Sequence, residues 1–167
     1  EIHAIGGSQV AGKLRAVSAE HLIAAEEKEI AALAEGGTVA VLLPATSFYL
    51  DTPFARARDM VNAGVPVAVA TDFNPGSCPS LNLQLAMNLA CYKYRLRPEE
   101  VLTAVTLNAA AAIGKSNTLG TLEPGKQADI LIWNAPDLDY VFYRFGSNLV
   151  NTVIKKGKTV FRQGESL

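Results

Sequence analysis

Short apolar runs alternate with amphipathic stretches along most of the chain. Two runs, 38–44 and 65–71, are nearly continuous in β-branched and apolar residues, a pattern typical of parallel strands covered on both faces. Weaker strand candidates lie near 1–4 and 15–18. Segments with helical periodicity lie at 24–35, 53–63, 80–95 and 98–113. The predicted order β-α-β-α-β-α-β-α-α is typical of βα units in a parallel sheet or a (β/α)8 barrel.

Proline and glycine positions predict where the helices begin and end. Pro53 is expected in the first turn of the 53–63 helix, and Gly64 is expected just beyond its end. The apolar stripe of the 80–95 helix is predicted to consist of Leu81, Leu85, Leu89 and Tyr92.

The pattern changes after residue 116. A turn-rich stretch leads into a strand-like segment at 128–133, and 151–162 is predicted to be a hairpin around Lys156-Gly157. We therefore predict two domains, with βα units in 1–116 and a small β domain, without a helix of its own, in 117–167. Four βα units are half of a barrel, and such a half would expose strand edges that proteins normally close or cover.

Composition and charge narrow the function classes. The 167 residues are 49% hydrophobic and 19% charged, with a net charge of −1 and no basic cluster, so the chain is globular and no nucleic-acid partner is expected. The longest uncharged stretch, 73–92, contains too many polar residues for a membrane helix. No signal peptide is predicted, and the start lacks a Met, so the natural N-terminus is expected upstream. Cys78 and Cys91 form no metal or redox spacing, which fits a cytoplasmic location.

Three side chains suited to metal binding or proton transfer follow predicted strands. The chain has two histidines, His3 and His21, and Asp72 ends the last apolar run. Strand ends of a βα barrel open onto one face, so these groups are expected to converge there. Imidazole nitrogen and carboxylate oxygen suit a zinc-like divalent ion. The residues alone leave other interpretations open, because Asp72 would also cap a turn and either histidine would also suit a structural or surface role.

The loop after Asp72 offers backbone N–H groups and small side chains. Asn74-Pro75-Gly76-Ser77 would hold a carboxylate or phosphate through such donors, and it is equally a common signal for a βα turn.

Four stretches resemble the amidohydrolase superfamily and, within it, the imidazolonepropionases. One of them, 66–77, resembles strand eight and its loop, and its Thr71–Gly76 part is specific to the imidazolonepropionases. Residues 18–22 resemble the strand-six histidine segment, and residues 39–44 resemble strand seven. The superfamily's C-terminal pattern is found in 106–114, Gly120, Gly125-Lys126 and Ala128-Asp129. The resemblance implies the C-terminal half of a (β/α)8 TIM-like barrel plus part of a small β domain.

The resemblance also implies an activity and residue roles. The activity is hydrolysis of 4-imidazolone-5-propanoate to N-formimidoyl-L-glutamate in histidine degradation, with one divalent ion, zinc or iron. His3 and Asp72 would be metal ligands, Asp72 would relay the proton, and His21 would support the attacking water and the developing oxyanion. Contacts with the substrate, including its propionate tail, would come from Asn74, Gly76 and Ser77.

Two departures from the family pattern limit these expectations. The His-x-His pair of strand one is absent, as are strands one to four. His3-Ala4 runs directly into Ile5-Gly6-Gly7, where the family has additional residues including a substrate-contacting glutamate; this is either a deletion or a segment left out of the chain. We therefore expect an isolated chain that is incomplete for activity and that associates with the missing barrel half or forms a homo-oligomer.

Two other functions stay open. The chain would also suit an inactive fragment or a structural or assembly module of an amidohydrolase. Another cyclic amidohydrolase or a deaminase is the other candidate, although Phe73-Asn74-Pro75-Gly76 argues against it because other members usually vary that loop.

Overall fold

The computed structural model describes residues 3–165, which form a mixed α/β structure. The helices in chain order are α1 (Gly7–Lys13), α2 (Glu27–Gly36), α3 (Pro44–Tyr49), α4 (Ala57–Asn62), α5 (Leu83–Tyr94), α6 (Pro98–Val105), α7 (Leu107–Ala112) and α8 (Leu138–Tyr143). The strands are β1 (Ser18–Glu20), β2 (Val39–Leu42), β3 (Val67–Val69), β4 (Ile130–Trp133), β5 (Val150–Lys155) and β6 (Lys158–Arg162).

The first sheet has the parallel order β1-β2-β3. Ala19 pairs with Ala40, and Leu42 pairs with Val69. Nearly every residue of β2 and β3 is buried, so the continuous apolar runs did identify strands covered on both faces. The helices α2, α4, α5 and α6 pack their apolar sides into the same core.

The predictions for the first two strands need correction. Residues 1–2 of the 1–4 candidate lie outside the described residues, and His3 and Ala4 are not in a strand. The second strand is Ser18–Glu20 rather than 15–18. Arg15 has a φ of 51° and its N–H bonds to the carbonyl of Gly12, so this part of the segment closes the end of α1 instead of extending as a strand.

The predicted 53–63 helix is wrong at its start. The helix α4 begins at Ala57, and Pro53 precedes it. Ala55 is buried in the core, and its carbonyl accepts a hydrogen bond from the N–H of Ala57 in a turn. The helix α3, which was not predicted, does begin with a proline, Pro44.

The predicted 98–113 helix is two helices. Thr106 has φ −122° and ψ −88°, which interrupts the helix between α6 and α7. Asn108 Nδ2 donates a hydrogen bond of 2.8 Å to the carbonyl of Val67, so α7 lies at the amino end of β3. The break lets α7 turn towards the sheet.

The predicted apolar stripe of the 80–95 helix is also wrong in part. The side chain of Asn82 caps α5 by accepting from the N–H of Leu85, so Leu81 lies outside the helix and is 74% exposed. Tyr92 is 54% exposed, and its hydroxyl donates to the carbonyl of Phe142 at 3.0 Å. The buried apolar side chains of α5 are Ala86, Met87, Leu89, Ala90 and Tyr94.

The second sheet has the antiparallel order β4-β5-β6, with the predicted hairpin turn at Lys156-Gly157. The expectation that this region has no helix is wrong, because α8 lies between β4 and β5. The Asp137 side chain caps α8 by accepting from the N–H of Tyr140 at 2.8 Å, and Val141 and Phe142 are buried in the core. No helix within residues 3–165 is long and apolar enough to cross a membrane.

Candidate functional site

Two of the three predicted chemical groups follow strands of the parallel sheet. His21 comes directly after β1, and Asp72 comes shortly after β3. The N–H of His21 bonds to the carbonyl of Val41 at 2.9 Å, which extends the pairing of β1 with β2. Because parallel strands all end at the same side of the sheet, His21 and Asp72 both lie at the carboxyl end of the sheet. The strand β2 lies between the strands that they follow.

Both residues have left-handed backbone conformations. The φ angles are 65° at His21, 58° at Leu22 and 57° at Asp72. A non-glycine residue in this region costs about 1 kcal/mol or more, and such strain clusters at functional sites. The chain therefore turns sharply at both strand ends where chemistry was predicted.

The Asp72 carboxylate is held by a residue that sequence reasoning missed. The hydroxyl of Thr46, in α3, donates to Asp72 Oδ2 at 2.7 Å. Thr46 is 3% exposed, whereas Asp72 is partly exposed. The only sequence signal for this contact is position, since Thr46 follows β2 as Asp72 follows β3, and the two strands are neighbours.

The loop after Asp72 is organised by Asn74. Asn74 Nδ2 donates to the carbonyl of Asp72 at 2.7 Å and to Ser77 Oγ at 2.8 Å. Asn74 Oδ1 accepts from the N–H groups of Gly76 at 2.9 Å and Ser77 at 2.8 Å. The predicted substrate donors of this loop thus bond to Asn74, whose amide uses both of its donors and both of its lone pairs.

His3 is exposed and lines a cavity of about 310 Å³ together with Ser18, Glu20 and Glu29. The cavity that His3 lines includes neither His21 nor Asp72 among its lining residues. Within residues 3–165, no three His, Cys, Asp or Glu side chains form a group that could hold a metal ion. The described part of the chain therefore does not assemble His3, His21 and Asp72 into a metal site.

The thiols do not add a nucleophile to the site. Cys78 is buried, and Cys91 is partly buried. Burial, and then the negative charges of Glu100 and Glu99, raise the pKa of Cys91 to about 11. A thiol with that pKa is protonated at neutral pH and is a poor nucleophile.

The comparison with known families agrees with this arrangement. The model of the "Amidohydrolase family" matches residues 3–160, which include the parallel sheet, the Asp72 loop and most of the second sheet. The chain belongs to the amidohydrolase family. The polar groups at the carboxyl ends of the parallel strands are consistent with membership of this family.

Curated relatives narrow the similarity within the amidohydrolase family. The chain is 53% identical over 165 residues to the imidazolonepropionase of Treponema denticola, covering 98% of this chain and 40% of the relative. It is 52% identical to the imidazolonepropionase of Bacillus velezensis, covering 100% of this chain and 40% of the relative. The predicted resemblance is confirmed, and the chain spans 40% of the length of these relatives.

Solved structures show the same fold. An adenosine deaminase from Xanthomonas campestris, determined with bound zinc, superposes with a TM-score of 0.81 at 27% sequence identity. The match covers 87% of this chain and 37% of that structure. The likeness therefore extends to an enzyme whose chain is considerably longer than this one.

Proposed function

We propose that this chain is the C-terminal part of an enzyme that hydrolyses 4-imidazolone-5-propanoate to N-formimidoyl-L-glutamate. The observation that carries the proposal is the placement of Asp72 at the end of β3, with its carboxylate held by Thr46 and its loop shaped by Asn74. The identity of 53% to an imidazolonepropionase over 98% of the chain supports the same substrate.

The architecture that fits this function is half of a (β/α)8 barrel in 1–116 and part of a small β domain in 117–167. Among the described strands of the parallel sheet, β1 and β3 are the edges. Open edges are normally paired or covered, so the proposal places the remaining barrel strands beside them. Those strands would come from the rest of the same protein, or the chain would associate with another copy. A cytoplasmic location belongs to the same proposal.

The proposed cofactor is one divalent ion, zinc or iron, with His3 and Asp72 as ligands. Imidazole nitrogen and carboxylate oxygen are donors that both metals accept. A catalytic zinc has three protein ligands, and residues 3–165 contain no group of three suitable side chains. The donor types fit while their number does not, so the other ligands are expected from residues beyond this chain. The zinc in the Xanthomonas campestris enzyme supports a metal of this kind.

The chain's own residues account for the proton transfers of the reaction. Water adds to the ring carbonyl carbon, and the Asp72 carboxylate accepts the proton that the water loses. The bond between that carbon and the ring nitrogen then breaks, and Asp72 returns the proton to the nitrogen. His21 donates a hydrogen bond to the carbonyl oxygen as its negative charge develops. A bound divalent ion would lower the pKa of the attacking water to about 7.

Asn74, Gly76 and Ser77 are the proposed contacts for the propionate tail. The N–H groups of Gly76 and Ser77 already point to a common acceptor, Asn74 Oδ1. A substrate carboxylate is a stronger acceptor than an amide oxygen and would replace it. Binding would then require Asn74 to release part of the loop.

The test compares the isolated 167-residue chain with the full-length protein that carries it. Loss of the absorbance of imidazolonepropionate measures turnover, and elemental analysis measures bound metal. We expect turnover and one divalent ion per chain from the full-length protein, and neither from the isolated chain. A folded, metal-loaded full-length protein without turnover would exclude this substrate and leave the structural-module interpretation or another cyclic amide.

A further inference from the structure

We propose that Thr46 is a positioning residue for Asp72: its hydroxyl holds carboxylate oxygen Oδ2, so that Oδ1 is the oxygen that accepts the proton from the attacking water. The part of this inference that concerns proton transfer rests on the proposed function. The placement of Asp72 by Thr46 rests on the contacts alone.

The contact follows from the register of two neighbouring strands. Leu42, the last residue of β2, pairs with Val69, the last residue of β3. The N–H of Ala70 continues the ladder to the carbonyl of Leu42 at 3.2 Å. The segments that follow β2 and β3 therefore leave the sheet side by side. Thr46 and Asp72 meet just beyond the sheet, with 2.7 Å between Oγ1 and Oδ2.

Asp72 is held at two separate points. Its backbone carbonyl accepts from Asn74 Nδ2, which stabilises the left-handed conformation with a φ of 57°. Its carboxylate accepts from Thr46, which lies in α3, the helix that follows the adjacent strand β2. Asn74 shapes the backbone, while Thr46 sets the direction of the carboxylate.

A second threonine shows that burial of the hydroxyl does not by itself require this bond. Thr38 precedes β2 as Thr46 follows it, and it is 0% exposed. Its Oγ1 has no hydrogen-bond partner within the described residues, so the fold tolerates one unpaired threonine hydroxyl. Burial of the Thr46 hydroxyl therefore does not by itself explain the contact, and we assign the contact to the placement of the Asp72 carboxylate.

The end of β2 holds both chemical groups. The carbonyl of Val41 fixes the backbone of His21 at 2.9 Å, and Thr46 fixes the side chain of Asp72. The spacing between the proposed hydrogen-bond donor and the proposed base is therefore set by the segment 41–46. A shift of Asp72 within this frame would slow proton transfer more than substrate binding, because small misplacements act mainly on the reacting geometry.

The experiment uses the full-length protein with three single substitutions. Thr46→Val removes the hydroxyl at nearly constant volume, and we expect kcat to fall by about 10- to 100-fold, as for other residues that orient a ligand or base. KM should stay within about threefold of the parent value, since a lower kcat at constant KM marks loss in the transition state. Thr46→Ser keeps the hydroxyl and should restore kcat to within about threefold. Thr38→Val is the matched control and should leave both constants unchanged.

The inference is overturned if Thr46→Val keeps kcat within about twofold of the parent, or if Thr46→Ser is as slow as Thr46→Val. Melting temperatures show whether each variant is folded, and Thr46→Ala replaces Thr46→Val if the latter is not. If the parent protein does not open the ring, the proposed function fails, and crystal structures of the parent and Thr46→Val then decide the placement. A displaced Asp72 carboxylate supports positioning by Thr46, and an unchanged one excludes it.

Discussion

Glu100 accepts two hydrogen bonds from the guanidinium group of Arg58, one on each carboxylate oxygen, at 3.0 and 2.6 Å. Arg58 also donates to the carbonyl of Arg95 at 2.6 Å, and Glu100 also accepts from the N–H of Arg97 at 2.7 Å. The pair joins α4 to α6, and both helices contact β3. It therefore supports the strand that leads to Asp72.

Replacing Glu100 should remove part of the acid sensitivity of the fold. The hydrogen bonds from Arg58 lower the pKa of Glu100 from 4.5 to about 2. Because the pKa in the folded state is lower than in the unfolded state, the pair stabilises the fold above about pH 4.5 and loses this contribution between about pH 4.5 and 2. Glu100→Gln should lower the free energy of unfolding by about 1 kcal/mol at pH 7, a modest value because the pair is partly exposed.

Denaturant unfolding at several pH values checks this prediction. The difference between the parent and Glu100→Gln should shrink as the pH falls from 4.5 towards 2. Glu99→Gln is the control, because the Glu99 side chain is exposed on the same helix turn. Parallel stability curves for the parent and Glu100→Gln would contradict the assigned role of the pair.

Gly12→Ala should disrupt the packing of α1 on α2. A Cβ at Gly12 would lie 2.2 Å from the carbonyl oxygen of Ala32 and 2.8 Å from the nitrogen of Leu33, so the two backbones would have to separate. We expect a loss of about 2 kcal/mol or more in the free energy of unfolding. Gly7→Ala is the control in the same helix, because a Cβ there meets no atom within 4 Å. Equal stability of the two variants in thermal unfolding would refute the close approach.

Asn88→Ala should loosen the attachment of α8. Asn88 is fully buried, its Nδ2 donates to the carbonyl of Phe142 at 2.9 Å, and its Oδ1 accepts from the N–H of Gly146 at 3.2 Å. Alanine would leave both backbone groups without these bonds, at a cost of about 2–3 kcal/mol. Asn134→Ala, at an exposed position, should change the stability by less than about 0.5 kcal/mol. Hydrogen exchange at 141–146 measures the local effect, and unchanged protection there would argue against this attachment.

The sequence predicts elements whose signal lies within a single segment. The β2 and β3 runs are continuously apolar because the strands are buried on both faces. The helix predicted at 24–35 is present as Glu27–Gly36, so its end is close to the prediction and its start is three residues later. Prediction from the sequence fails where a contact with a segment distant in the sequence determines the secondary structure. The helix is interrupted at Thr106, and Asn108 then forms a hydrogen bond with the carbonyl of Val67. The sequence of 98–113 contains no signal that predicts this contact.

The candidate site divides in the same way. Asp72 and His21 were predicted as site residues because each follows a strand, and both lie at the carboxyl end of the parallel sheet. Thr46 was not predicted, because its role depends on the pairing of β2 with β3 rather than on its own sequence context. The use of the Asn74 amide within its own loop likewise depends on the folded conformation of 72–77.

The most direct test of the central claim is the rate at which Asp72→Asn full-length protein converts 4-imidazolone-5-propanoate to N-formimidoyl-L-glutamate. Asparagine keeps the size of the side chain but cannot accept the proton from water. Asp59→Asn is the control, because Asp59, on α4, forms an exposed ion pair with Arg56 just before that helix. With both variants folded, we predict that Asp72→Asn is at least about 100-fold slower than the parent and that Asp59→Asn is unchanged. A near-normal rate of product formation by Asp72→Asn would contradict the account.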